Sequence, residues 1–184
     1  MTAAPRPLLF CPHTAGYPLR GERSDTAVTA MPLTVCPMQA QHIPALAALE
    51  QQCFAAPWSA QALAEELSNP HAVFLVAEQA GEVCGYAGMH HLGDEGFITN
   101  VAVSPAARRQ GVARALLAAL EHYARQHTLY RLTLEVRVSN AAAIALYEGA
   151  GYRRDGVRPG FYRQPTEDAA IYSRYFEYSE QKDE

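Results

Sequence analysis

A short run of arginines around a glycine, Arg108-Arg109-Gln110-Gly111-Val112-Ala113-Arg114, has the composition of an anion-binding turn. An apolar stripe of helical period follows it, so its backbone N–H groups are predicted to lie in the first turn of a helix. Those groups lack intrahelical partners and carry about +0.5 of an elementary charge from the helix dipole. Gly111 and Ala113 would let a diphosphate approach the peptide nitrogens, while the arginines add charge around the rim. On its own, the turn favours the alternative, an ordinary loop-to-helix junction with a solvated basic rim.

Glu135 is a carboxylate in a segment that is predicted to join a sheet. Residues 131–137 alternate as in a β-strand. The helix between them and a strand at residues 97–103 makes the two strands parallel through a right-handed crossover. Strands in such units are usually covered on both faces, so a central carboxylate needs a partner or a cavity. The alternation also fits a strand whose polar face is simply wet, and the pattern leaves both interpretations open.

Asn140 and Tyr147 share one face of a predicted helix over residues 141–148. Ser139-Asn140 supplies N-cap chemistry for this helix, and two glycines follow its end. The spacing does not decide between a functional role for Tyr147 and core packing with its hydroxyl satisfied locally.

The elements that must position these residues follow one another in the order βααβββαβαββ. Ser59 is expected to cap the second helix, and Asn69-Pro70 to end it. Loops are predicted through Pro159-Gly160 and Gln164-Pro165, before the last strand. The predicted strands cover residues 33–36, 72–79, 83–91, 97–103, 131–137, 153–156 and 168–178, and the predicted helices cover residues 39–54, 59–69, 108–127 and 141–148.

Length, composition and charge narrow the class of protein. The chain has 184 residues, of which 49% are apolar and 18% charged, as expected for one domain with a sizeable core. A formal net charge of −4 gives no general nucleic-acid footprint. No apolar run approaches a membrane span, and Leu8-Leu9-Phe10 is too short for the apolar region of a signal peptide. The protein is therefore predicted to be cytoplasmic, without nucleic-acid or membrane partners.

The cysteines and histidines do not have metal-ligand spacing, and no metal site is predicted. No Cys-x-x-Cys pair occurs, which favours free and mostly buried thiols in a reducing cytosol. His90 and His91 are adjacent on a strand and should point to opposite faces. The cysteines are Cys11, Cys36, Cys53 and Cys84.

Two blocks of the sequence resemble a known family. The run from Arg108 to Leu117 resembles the acetyl-CoA signature, Gln/Arg-x-x-Gly-x-Gly/Ala, of the GNAT superfamily of N-acetyltransferases. The block at residues 134–152 has Ala56-Pro57-Trp58-Ser59 before it and Glu167-Asp168-Ala169 after it. That arrangement is similar to the RimI group, bacterial acetyltransferases of a ribosomal protein's N-terminal alanine. The resemblance covers about residues 33–176.

The resemblance implies an α/β (α+β) GNAT acyl-CoA N-acyltransferase fold. That fold has a mixed, mostly antiparallel sheet with a splayed parallel central pair and flanking helices. We expect the domain to cover residues 31–178, after a flexible N-terminal extension at residues 1–30 that lacks periodicity. Residues 179–184 would form a polar tail, and Met31 is an alternative start of the chain.

The resemblance also implies an activity and the residues that perform it. Acetyl-CoA would be the co-substrate, and the N-terminus of a small-subunit ribosomal protein the acceptor. Glu135 matches the general base and Tyr147 the general acid. The expected coenzyme-binding residues are Val101, Ala102 and Val103 on one strand, Arg109, Gln110, Gly111, Val112, Ala113 and Arg114 in the pyrophosphate loop, and Asn140.

One departure from the group's pattern affects the acceptor. The RimI group usually has paired tyrosines where this chain has Phe161-Tyr162, so a hydroxyl is lost. Selectivity for the group's substrate, which begins Ala-Arg-Tyr-Phe, is therefore expected to relax. An acetyltransferase for lysine or a small amine, and a non-catalytic coenzyme-A-binding module, are the alternatives. A dinucleotide-binding domain is disfavoured because residues 111–113 lack the Gly-x-Gly-x-x-Gly run.

Overall fold

The computed structural model describes residues 32–178, and its elements follow the predicted order. The predicted extension at residues 1–30 and the predicted tail at residues 179–184 lie outside the described residues. None of the helices between residues 32 and 178 is long and apolar enough to cross a membrane. The strands are β1 (Leu33–Pro37), β2 (Ala72–Gln79), β3 (Glu82–Leu92), β4 (Glu95–Val103), β5 (Arg131–Arg137), β6 (Arg153–Arg163) and β7 (Thr166–Tyr175). The helices are α1 (Ile43–Cys53), α2 (Ala60–Glu66), α3 (Val112–Gln126) and α4 (Ala141–Gly149), with 3₁₀ turns at Ala40–His42 and Pro105–Ala107.

The strands form one seven-stranded sheet in the order β1-β2-β3-β4-β5-β7-β6. Every neighbouring pair is antiparallel except β4 and β5, which are parallel, and this confirms the predicted mixed sheet. β4 and β5 pair only from Glu95↔Arg131 to Ile98↔Leu134. Beyond that point β4 stays paired with β3, and β5 stays paired with β7. The central pair therefore opens into a cleft at the carboxyl ends of its two strands.

A bulge lies at the point where β4 leaves β5. The register of β3 against β4 shifts between Gly88 and Met89, which leaves Thr99 as the extra residue on β4. The Thr99 hydroxyl donates to the Gly88 carbonyl (3.2 Å). Because a bulge bends its strand and increases the local twist, β4 turns away from β5 directly after Ile98.

Helices cover both faces of the sheet. Consecutive strand residues point to opposite faces, so each face carries its own set of apolar side chains. On one face, α3 buries Leu116 and Leu120 together with Leu132 of β5. On the other face, α1 and α2 bury Leu46 and Leu63 against β2 and β3. The helix that follows the arginine run is thereby held against the sheet beside the cleft.

The prediction of a loop through Pro159-Gly160 is wrong, because β6 continues through these residues to Arg163. The register against β7 shifts between Arg158 and Tyr162, so the strand carries a bulge at this place instead of ending. Gly160 adopts φ +59°, and its N–H donates to Asp168 Oδ1 (2.8 Å). Proline and glycine inside a strand mark irregular pairing, and the local pattern does not distinguish such a bulge from a loop.

Other boundaries differ from the prediction by a few residues. The predicted helix over residues 39–54 is a 3₁₀ turn followed by α1, with Pro44 in the first turn of α1, where its missing N–H costs nothing. The helix predicted over residues 59–69 is capped by Ser59 as expected but ends at Glu66. The last strand covers Thr166–Tyr175 instead of residues 168–178.

Candidate active site

The arginine run forms a tight turn, and the last residue of that turn caps α3. Gly111 is the N-cap and adopts φ +86°, and Arg109 has φ +64°. The first intrahelical donor is Ala115, whose N–H bonds to the Gly111 carbonyl (3.0 Å). The N–H groups of residues 112–114 therefore point out of the helix end without intrahelical partners, as an anion site requires. Because two left-handed residues interrupt the backbone, the helix begins after residue 111 instead of at the predicted residue 108.

Arg108 is turned away from this helix end, unlike the prediction that it would add charge to the rim. Its Nε donates to the Val103 carbonyl (3.3 Å), and its Nη2 lies 3.8 Å from the Cys53 sulfur. The side chain ties the end of β4 to α1. All three arginines of the run are exposed, and Arg109 and Arg114 are the two without a side-chain bond to Val103 or Cys53.

The free edge of β4 faces the cleft. The Ser104 N–H donates to the Cys84 carbonyl on β3 (2.9 Å). Because main-chain groups alternate along a paired strand, those of Ala102 point toward β3, and those of Val101 and Val103 point toward the cleft. A main-chain N–H of β4 is therefore available to a ligand between the two splayed strands.

Glu135 lies on β5, one residue beyond the last pairing with β4, at the opening of the cleft. Its Oε1 is 2.6 Å from Arg158 Nη1 on β6. The Glu135 side chain is 34% exposed, so a ligand can reach the carboxylate. The carboxylate therefore has the partner that its position in the sheet predicts, and it also stays accessible.

Tyr147 is buried in α4, and its ring centroid lies 5.9 Å from that of Tyr152. Burial, followed by the nearby Tyr162 phenol, raises the pKa of Tyr147 above its ordinary value. The hydroxyl therefore keeps its proton at neutral pH and can donate a hydrogen bond. The ring packs in the core, as one of the two interpretations predicts, without excluding a role for the hydroxyl.

Tyr162 interacts with Glu135 and influences Tyr147. Its hydroxyl donates to the Glu135 main-chain carbonyl (3.2 Å), and its phenol contributes to the raised pKa of Tyr147. The Arg137 guanidinium lies 4.2 Å from the centre of the Tyr162 ring and also bonds to Glu167 (3.0 Å). Tyr162 thus bonds to the main chain of Glu135, affects the pKa of Tyr147, and is held by its contact with Arg137.

Asn140 follows β5 at the same end of the cleft. It is the N-cap of α4, as predicted, and its Oδ1 accepts the Ala143 N–H (3.1 Å). Because Oδ1 is occupied by the helix, Nδ2 is the atom of this exposed side chain that can contact a coenzyme.

Glu50 of α1 is a buried carboxylate beside the site that the sequence analysis missed. It is fully buried, and it accepts the Trp58 N–H (2.7 Å), the Tyr86 hydroxyl and Asn100 Nδ2 (3.2 Å). A buried polar side chain requires such hydrogen-bond partners. The contacts join the segment between α1 and α2 to β3 and β4. Its helical spacing from Leu46, on the apolar face of α1, was the signal that could have identified it.

A second group of potential ligand side chains lies away from the cleft. Cys36, His42 and Glu78 have donor atoms within 4.8 Å of one another, on β1, the first 3₁₀ turn and β2. His42 Nδ1 accepts the Gln39 N–H (3.1 Å), and its Nε2 lies 3.4 Å from Glu78 Oε1. Both ring nitrogens of His42 therefore have contacts within the protein.

The fold and the candidate site fit an acyltransferase that uses a coenzyme with a diphosphate. Three features lie together at the carboxyl ends of the central strands: a splayed parallel pair, a helix N-terminus with free N–H groups, and an accessible carboxylate. The sequence profile described as the acetyltransferase (GNAT) family matches residues 43–152. The chain belongs to this family.

The similar proteins include named N-acetyltransferases. The chain is 36% identical over 124 residues to the putative [ribosomal protein bS18]-alanine N-acetyltransferase of Bacillus subtilis, which covers 67% of this chain and 82% of that protein. It is 36% identical over 135 residues to the [ribosomal protein bS18]-alanine N-acetyltransferase of Escherichia coli K12, and this alignment covers 73% of this chain and 89% of that protein. The crystal structure of the ribosomal-protein-S18-alanine N-acetyltransferase from E. coli superimposes with a TM-score of 0.75 at 32% identity, covering 83% of this chain and 99% of that one.

Gly111→Val is expected to weaken acetyl-CoA binding about tenfold or more. A β-branched residue cannot adopt φ +86° without strain, and relief of that strain would move the N–H groups of residues 112–114. Arg108→Ala is the comparison and should weaken binding far less, because that side chain bonds to the Val103 carbonyl and leaves the N–H groups of the helix end in place. Titration calorimetry with acetyl-CoA measures both, alongside their melting temperatures. Equal affinities in two folded variants would contradict the assignment of the loop.

Proposed function

We propose that the protein transfers the acetyl group of acetyl-CoA to the N-terminal α-amine of a protein. We further propose that its acceptor is the N-terminal alanine of a small-subunit ribosomal protein. The observation that carries the proposal is the accessible Glu135 carboxylate at the opening of the cleft. The names of the relatives that align over most of the domain support the same acceptor.

The coenzyme is proposed to lie in the cleft between β4 and β5, with its diphosphate at the N-terminus of α3. Gly111 and the N–H groups of Val112, Ala113 and Arg114 fit the diphosphate, because they are free at a helix N-terminus with a left-handed N-cap. The other proposed coenzyme contacts are Arg109 and Gln110 on the turn, Val101, Ala102 and Val103 along β4, and Asn140 at the start of α4. The Val101 N–H would polarise the thioester carbonyl from the cleft edge of β4.

Glu135 is proposed to accept the proton of the acceptor amine, directly or through a water molecule. The reference pKa of an α-amino group is about 7.7–8.0, so this proton is easily removed near neutral pH. The neutral nitrogen then forms a bond to the acetyl carbon as the carbon–sulfur bond breaks and a thiolate leaves, and the second proton of the nitrogen passes to the thiolate or to solvent.

Tyr147 is proposed to stabilise that thiolate. The reference pKa of tyrosine, about 10, already exceeds that of a thiol, about 8.5. Burial raises the pKa of Tyr147 further and makes it a weaker acid than an ordinary tyrosine. Hydrogen bonding from the hydroxyl is therefore favoured over complete proton transfer.

The proposed setting of the reaction is the cytoplasm, without a metal ion and without nucleic-acid or membrane partners. The net charge of −4 indicates that the protein has no general basic surface, which supports binding of the acceptor at the site itself. Cys36, Cys53 and Cys84 are free thiols, which fits a reducing compartment.

An α-amine is expected to be a better acceptor than a lysine side chain by roughly 300-fold. The reference pKa of lysine, about 10.4, makes its deprotonation harder by about 2.5 units, or roughly 3.4 kcal/mol. The test compares kcat/KM for a peptide that begins Ala-Arg-Tyr-Phe, an N-terminally blocked peptide with one lysine, and a polyamine. Comparable or greater activity on either of the last two would replace the proposal with a lysine or small-amine acetyltransferase. No turnover of any of them would indicate a coenzyme-binding module.

A further inference from the structure

We propose that Arg158 is a specificity-determining residue that disfavours amines that stay protonated at neutral pH, such as lysine side chains and polyamines, by neutralising Glu135. This inference rests on the proposed role of Glu135 as the base. It assigns Arg158 a function in the choice of acceptor, beyond that of a surface ion pair.

The contacts place the Arg158 guanidinium directly on the reacting carboxylate. Nη1 is 2.6 Å from Glu135 Oε1, although β5 and β6 are separated by β7. Ala169 of β7 pairs with Arg158 on one side and with Arg137 on the other, so these residues share a face of the sheet with Glu135. The small side chain of Ala169 lets the guanidinium cross β7.

The bulge in β6 holds Arg158 in this position. The register shift between Arg158 and Tyr162 moves the intervening residues out of the regular ladder, and Asp168 accepts the Gly160 N–H. The Phe161 ring lies 5.0 Å from the Arg158 guanidinium carbon, in a cation–π contact. The residue that departs from the paired tyrosines of the RimI group thus packs against the arginine.

The second arginine near the site has other partners. Arg137 bonds to Glu167 and to the carbonyls of Gln164 and Pro165, so its charge is directed away from the Glu135 carboxylate. Glu135 and Arg158 therefore form a pair of near-zero net charge at the opening of the cleft.

A neutral pair distinguishes between amines by their charge. An α-amine, with a reference pKa of about 7.7–8.0, is partly unprotonated near neutral pH, and that fraction can approach the carboxylate without displacing a cation. A lysine ammonium or a polyamine must approach an arginine of the same sign, and the carboxylate that would attract it is already compensated. Because Arg158 is 59% exposed, water screens part of this repulsion, so we expect an effect of roughly five- to tenfold on kcat/KM.

The test compares Arg158→Met with Arg163→Met for three acceptors: the peptide beginning Ala-Arg-Tyr-Phe, the blocked lysine peptide and a polyamine. Arg163 is an exposed arginine on the same strand that forms no ion pair with Glu135. Arg158→Met is expected to lower the preference for the α-amine about five- to tenfold through faster reaction of the cationic acceptors. Arg163→Met should keep the wild-type preference, and Arg158→Lys, which retains the charge, should restore most of it.

An unchanged preference in folded Arg158→Met would overturn the inference. So would a loss confined to the α-amine peptide, because that result would make Arg158 a contact of the acceptor. If Arg158→Met folds poorly, Arg158→Gln provides the same comparison. If the wild-type enzyme already prefers the polyamine, both this inference and the proposed function are overturned. If the wild-type enzyme prefers the α-amine and Arg158→Met keeps that preference, only the inference about Arg158 is overturned.

Discussion

Glu135→Gln is expected to lower kcat by roughly 10²–10⁴-fold, the usual contribution of a general base. The amide keeps the size of the side chain but cannot accept the amine proton. Acetyl-CoA affinity should stay nearly unchanged, because the proposed coenzyme contacts are on β4, on the turn at the start of α3 and at Asn140, and none of them is Glu135. Steady-state kinetics with the Ala-Arg-Tyr-Phe peptide, together with titration calorimetry of acetyl-CoA, separates the two effects.

Glu95→Gln is the matched control for this variant. Glu95 Oε1 also pairs with an arginine, Arg131 Nη2, at 2.9 Å, and the Glu95 side chain is 25% exposed. It lies at the paired end of β4 and β5, away from the cleft opening. Each exposed ion pair contributes only about 0–1 kcal/mol to stability, so both variants should fold. If Glu135→Gln stays fully active at pH 7 and only loses stability, the carboxylate has a structural role.

Tyr147→Phe is also expected to lower kcat by roughly 10²–10⁴-fold with little change in acetyl-CoA affinity. The substitution removes the hydroxyl that would stabilise the leaving thiolate but retains the ring that packs against Tyr152. Tyr152→Phe is the control, because its hydroxyl is buried without a hydrogen-bond partner among the described residues. Wild-type kcat in Tyr147→Phe would reduce Tyr147 to a core residue.

The pH profile provides an independent measure of Tyr147. Its pKa is raised, so the proton leaves only above the ordinary pKa of tyrosine, about 10. Tyr147 therefore stays protonated across the range in which an α-amine, with a pKa of about 7.7–8.0, loses its proton. We therefore expect the kcat of the wild-type enzyme to stay level between pH 8 and about pH 10. A decrease in this range that is present in the wild type and absent from Tyr147→Phe would contradict the raised pKa.

The element order and the capping residues were predictable because their signals are local. Ser59 and Asn140 cap α2 and α4 as their types and positions indicated. The alternation at residues 131–137 and the intervening helix were sufficient to predict the parallel central pair. The opening of that pair depends on a bulge at Thr99, which has no local sequence signal.

The contacts of the candidate site were less predictable because they join residues that are distant in the chain. Glu135 was identified from its place in a strand and from family resemblance, but its partner Arg158 approaches across β7 and through a bulge that resembled a loop. Arg108 was grouped with its neighbours by sequence, whereas the left-handed turn directs it toward Cys53. Local pattern therefore predicts which side chains are present at the site, and tertiary structure determines which of them meet.

The most direct test of the proposed function is the position of the acetyl group in a single product. A peptide that begins Ala-Arg-Tyr-Phe and carries one internal lysine is incubated with the enzyme and acetyl-CoA, and the product is fragmented by tandem mass spectrometry. We predict that the acetyl group is on the α-nitrogen of the first residue and that the lysine is unmodified. Acetylation of the lysine Nζ with a free N-terminus would contradict transfer to a protein N-terminus.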